Sequence, residues 1–119
     1  MHYRRRTYVR YNRDVMTREE AANRVVTECL WGEYRLNVSE ILERVARNDP
    51  QFNRFVCGKI VANGSYPSGT LRALFGESGA VALLREMPAS LSHIDRRRRT
   101  ALANLTGEYE LVPELSWQR

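Results

Sequence analysis

The 119-residue sequence predicts an all-α fold: a compact bundle of about five to six short helices preceded by an extended basic N-terminal arm. Three observations lead there. Apolar residues recur at spacings of three and four along most of the chain, each such stripe is bracketed by helix-starting and helix-stopping residues, and no second strand-like run matches residues 1–15. The chain length fits one domain with one modest core, so the expected organisation is an arm over 1–15 and a helical domain over 16–119.

Residues 1–15 alternate Tyr, Thr and Val with arginine, a pattern that favours extended structure and offers too little apolar surface for a core of its own. Thr17 and Glu20 have capping-box spacing, with Met16 placed to staple onto Ala21. The stripe Ala22, Val25, Val26, Cys29 and Leu30 follows on one helical face, and Gly32 is the expected stop. Asn37 and Glu40 repeat the cap, before Val38, Ile41, Leu42, Val45 and Ala46. Asp49-Pro50 places a cap before a proline at the first helical position, where the missing N–H costs nothing, and Phe52, Phe55, Val56 and Ile60 form the next stripe up to Asn63-Gly64.

By composition, residues 65–69 make a turn. A short helix over 70–75 then buries Leu71, Leu74 and Phe75 before Gly76. Ser78 caps a fifth helix with Val81, Leu84 and Met87 inward, ending near Pro88, because proline disfavours helical geometry in the residue before it. Ser90 caps a sixth, with Leu91, Ile94, Ala101, Leu102 and Leu105 on one side and Gly107 as terminator. The apolar tail residues Leu111, Val112, Leu115 and Trp117 are expected to pack, and they also suit a homodimer buried across a twofold axis.

The net charge of +5 is unevenly placed. Arg4, Arg5, Arg6, Arg10, Arg13 and Arg18 face only Asp14, so the rest of the chain holds 13 of the 19 basic and 13 of the 14 acidic residues and is balanced. Lys59 is the one lysine beside 18 arginines. Guanidinium groups grip phosphate or carboxylate through paired hydrogen bonds and stack on bases, which suits nucleic acid or an acidic protein face. Codon usage in a G+C-rich genome produces the same bias, but it does not explain clustering at one end.

Several chemistries have no pattern to support them. Cys29, Cys57, His2 and His93 are too scattered for tetrahedral zinc, and the two cysteines are expected to be buried thiols acting as small hydrophobes. Gly76-Glu77-Ser78-Gly79-Ala80 lacks the second glycine of a nucleophile elbow. His93 and Asp95, two apart on a helix, diverge and make no dyad. No phosphate-binding loop motif, membrane-length apolar stretch or leader pattern occurs, so the expectation is a cytoplasmic, non-enzymatic protein that uses no cofactor and no metal.

Three constellations are candidates for binding DNA or RNA. In the arm, Arg4, Arg5, Arg6, Arg10 and Arg13 suit phosphates, while Tyr3, Tyr8 and Tyr11 suit bases or sugars. In the sixth helix, residues advance about 100° each, so the run 96–99 cannot share a face; Arg98 falls toward the apolar stripe and Arg96, Arg97 and Arg99 project outward. A helix-turn-helix over 52–75 would offer Ser68, Thr70 and Arg72 at the start of its second helix, although the connection 63–68 is longer than the usual turn. Residues 17–46 match that motif equally well. Trp31, Tyr34, Tyr66 and Trp117 are candidates for core closure or for a protein interface. The leading expectation is a small nucleic-acid-binding regulator or accessory factor. The alternative is a protein-interaction module, such as a phage or mobile-element inhibitor of a larger host defence complex, with the arginines against an acidic protein surface.

Overall fold

Each predicted stripe becomes one wall of a helical bundle whose core is drawn from every helix. The computed structural model describes residues 15–30, 35–88 and 91–113, and among these no strand occurs. The arm residues Tyr3, Arg4, Arg5, Arg6, Tyr8, Arg10, Tyr11 and Arg13 lie outside the described residues, as do Trp31, Gly32, Tyr34, Ser90, Leu115 and Trp117.

Helix α1, Arg18–Arg24, opens on the expected capping box: the Glu20 amide donates to Thr17 Oγ1 at 3.0 Å and the Thr17 amide donates to Glu20 Oε1 at 2.8 Å. It does not run on as a regular helix. A π turn over Val25–Cys29 widens it, closed by the Leu30 amide on the Val25 carbonyl at 3.1 Å. The wider turn buries both Cys29 and Leu30 and leaves Glu28 toward the α3–α4 connection. Helix α2, Val38–Ala46, has the second capping box, Asn37 with Glu40. Only Ile41 is fully buried; Ala46, expected in the stripe, is exposed, so α2 sits at the margin.

Helix α3, Pro50–Asn63, starts under Asp49, whose carboxylate accepts from the Gln51 and Phe52 amides. It buries Phe52, Asn53, Val56, Cys57, Ile60 and Val61, a broad face that meets the π turn and two later helices. Helix α4, Pro67–Glu86, packs on α1, α3 and the next helix and is the centre of the bundle. Two expectations change here. The helix begins at Pro67, because proline fits the first helical position, so the turn expected over 65–69 shrinks and the α3–α4 connection is only residues 64–66. The chain is helical again directly after the expected stop, ahead of the expected Ser78 cap, so the second change is that one α4 runs through, interrupted only at Gly76. Its φ of 77° and ψ of 164° redirect the second half so that Ala80 and Leu84 are buried.

Helix α5, Ser92–Thr106, ends as expected on Gly107 in the left-handed region at φ 81°. Its start differs from expectation, with Leu91 as an N-cap that makes no side-chain hydrogen bond and is 67% exposed, not buried. A 3-10 turn, Tyr109–Leu111, packs back on α5 and brings Val112 into the interior.

Candidate anion-binding cleft between α4 and α5

The run Arg96 to Arg99 divides among four tasks. Arg97 turns inward and donates through Nε to the Val61 carbonyl and through Nη2 to the Gly64 carbonyl, both at the C-terminal end of α3. Arg98 donates to the Leu84 carbonyl in the last turn of α4 at 3.2 Å and to Asp95 Oδ1 at 3.0 Å. Arg99 donates to Asp95 Oδ2 at 2.9 Å and to the Leu111 carbonyl at 3.0 Å. Helix C-termini leave carbonyls unpaired and carry partial negative charge, so a guanidinium is the matching cap. The outward projection expected of Arg97 and Arg99 is therefore corrected: each reaches across to close a neighbouring element. Arg98 lies at the packing boundary, as its place beside the apolar stripe implies. Of the four, Arg96 alone is exposed; its carbonyl accepts from the Thr100 hydroxyl at 2.8 Å, but no described residue hydrogen-bonds or ion-pairs with its guanidinium.

Arg96, Arg97 and Arg99 border a cleft of about 660 Å³ between α5 and the start of α4. The α5 wall holds His93, Arg96, Arg97, Arg99, Thr100 and Asn104; the opposite wall is Ser65, Tyr66, Pro67 and Ser68. Among the described residues, neither wall contributes an Asp or Glu. Arg99 shares Asp95 with Arg98, whereas Arg97 has no carboxylate partner among the described residues. Arg96 and Arg97 therefore place two guanidinium charges at the cleft that no described carboxylate offsets, and the low-dielectric walls strengthen their field.

The opposite wall is positioned by the sharp entry into α4. Tyr66, the N-cap, has no side-chain capping bond, so the amides at the second and third helical positions, Ser68 and Gly69, lack a side-chain acceptor. The Tyr66 ring lies where a Gly69 side chain would stand, and only a glycine there lets it close down on the helix. Upstream, Ser65 is tied to the π turn: its amide donates to Glu28 Oε1 at 3.1 Å and its hydroxyl to Glu28 Oε2 at 2.8 Å, while Arg24 reaches both residues. The Ser65 amide is the main cause that lowers the Glu28 pKa below the usual carboxylate range, with burial opposing it.

The sequence-derived candidates separate clearly in this geometry. Ser68 is 4% exposed, lines the cleft, and has a hydroxyl that no described group hydrogen-bonds. Thr70 is 2% exposed and its hydroxyl donates to the Tyr66 carbonyl at 2.8 Å, so it faces the helix instead of a ligand. Arg72 does not border the cleft; its Nε is buried without a partner. The α3–α4 connection, residues 64–66, has the length of a helix-turn-helix turn, but Ser68, Gly69 and Thr70 in the first turn of the second helix are buried and do not form an exposed duplex-reading face. His93, Asn104 and Tyr66 join the site without having been singled out as ligand contacts. The first two sit on a polar stripe, His93, Arg97, Thr100 and Asn104, whose helical spacing is visible in the sequence.

Cys29 and Cys57 are free, buried thiols, pushed up to about 11 and about 12 chiefly by burial, which keeps them protonated and inert at neutral pH. Among the described residues, no helix is long and apolar enough to cross a membrane. Comparison with protein-family models, with curated proteins and with solved structures finds no match, so what the chain does has to be argued from the chemistry of this cleft.

Proposed function

We propose that the chain is a non-enzymatic nucleic-acid-binding protein, a cytoplasmic regulator or accessory factor that grips the sugar-phosphate backbone. One observation carries this reading: a cleft bounded by arginines with no Asp or Glu among its described lining residues, in a body whose remaining charge is balanced. The arginine- and tyrosine-rich segment 3–13 supplies further phosphate contacts in this reading, with the tyrosines against bases or sugars. An acidic protein face is the competing partner for the same cations.

The test is binding of mixed-sequence single- and double-stranded DNA and RNA, followed by fluorescence anisotropy at two salt concentrations. Binding in the micromolar range or tighter at low salt, falling steeply as salt rises, is the expected result. No binding to any of the four at low salt overturns the proposal.

A further inference from the structure

We infer that the α4–α5 cleft is a nucleotide pocket that recognises its ligand phosphate-first, with Ser68 and the uncapped amide end of α4 on one side of the phosphate and Arg96 on the other. This deepens the nucleic-acid reading and rests on it for the identity of the partner. Three independent features converge. The first segment of α4, from Pro67 to the break at Gly76, presents a helix N-terminus with no side-chain cap, where amide hydrogens and the helix dipole favour a dianionic group. Beside it, Ser68 is 4% exposed and borders the cleft, and no described residue hydrogen-bonds its hydroxyl, which leaves that group able to meet a ligand oxygen. Across the cleft, the Arg96 guanidinium has no partner among the described residues, while its three neighbours are all engaged with carbonyls or Asp95.

Size separates a bare phosphate from a nucleotide. At about 660 Å³ the cleft lies within the range of small-molecule sites, roughly 300–1,000 Å³, and leaves room beyond a phosphate for the sugar and base attached to it. The groups bordering that space match a nucleoside: the Tyr66 ring for apolar and stacking contact, and the Asn104 amide, which both donates and accepts. A free mononucleotide offers this dianionic monoester, whereas one unit of a nucleic-acid strand offers a monoanionic diester whose two non-bridging oxygens can meet the same donors.

The experiment follows the Ser68 and Gly69 amide resonances by two-dimensional NMR on the full chain, during titration with adenosine monophosphate, adenosine and inorganic phosphate, with a mixed-sequence oligonucleotide in parallel. The expected result is saturable shifts with the monophosphate, at least tenfold weaker binding of adenosine and of phosphate, and about tenfold weaker monophosphate binding in both Arg96→Ala and Ser68→Ala. Equal affinity for adenosine and its monophosphate, absent shifts at Ser68 and Gly69, or unchanged binding by both variants overturns the inference. Salt-dependent oligonucleotide binding that ignores both substitutions sinks the pocket and leaves the general nucleic-acid reading standing. Monophosphate binding without oligonucleotide binding does the reverse.

Discussion

Two adjacent arginines on α5 illustrate how residue type and role come apart. Arg97 satisfies the Val61 and Gly64 carbonyls, so Arg97→Ala strips the α3 terminus of its donors and is expected to cost about 1–3 kcal/mol, the penalty of leaving partly buried polar groups unpaired. Arg96 has no such bonds, and Arg96→Ala should stay within roughly 0.5 kcal/mol of the parent. Urea unfolding of both variants checks the contrast; equal losses would contradict the assigned roles. Asp95 gives a pH signature. Hydrogen bonds from Arg99 and then Arg98 hold its carboxyl below the ordinary value of 3.8, with burial opposing. A depressed folded pKa means that the unfolded chain binds the proton more readily, so the contribution is complete above about pH 4 and fades as acid protonates the folded carboxylate. Asp95→Asn should therefore flatten the acid limb of a stability–pH curve below about pH 4 and leave the neutral and alkaline limbs parallel to the parent. Glu20 and Glu28, also lowered by local hydrogen bonds, keep the remaining slope above zero.

At the scale of the element, glycines in α3 and α4 make opposite demands. Gly58 sits inside α3 with nothing within 4 Å of an added Cβ, so Gly58→Ala should stabilise by about 0.5–1 kcal/mol through reduced freedom of the unfolded chain and better helix propensity. Gly76 also has open space, yet its φ of 77° strains any other residue, and Gly76→Ala should destabilise by about 1–2 kcal/mol. Denaturant midpoints for the pair test the bend directly, since two stabilising outcomes would mean that α4 is straight in solution. Gly76 was legible in advance, as were Thr17, Asn37, Asp49 and Gly107, because caps and breaks are written in nearest neighbours. The π turn was not legible: Val25 to Cys29 have ordinary helical spacing, and the widening comes with Glu28 meeting Ser65, 37 residues away. The cleft was half legible. Its arginines and Ser68 stand out by type and position, but bringing residues 65–68 against 93–104 requires α4 and α5 to pack side by side, which no local pattern encodes.

For the whole molecule, the question is how the surplus charge acts when 13 basic and 13 acidic residues cancel outside the first 18 positions. Cancellation in number does not mean cancellation in space, because three arginines of the α5 run are committed to carbonyls or Asp95 and one is left to the solvent. Counterion release turns this arrangement into a number, since each neutralised phosphate contributes about 0.7–0.9 to the slope of log affinity against log salt. Replacing Arg96 by alanine should therefore lower that slope by about one, close to the effect of a single contact. Deleting residues 1–13, which removes Arg4, Arg5, Arg6, Arg10 and Arg13, should lower it several-fold more while leaving the unfolding free energy of the bundle within about 1 kcal/mol of the parent, since the segment's arginine-rich sequence offers little apolar surface to bury. Effects on the slope that add in the combined variant would show that the two sets of cations neutralise different phosphates. An affinity that fell after truncation with no change in slope would assign the segment to base stacking by Tyr3, Tyr8 and Tyr11 instead of to phosphate neutralisation by its arginines.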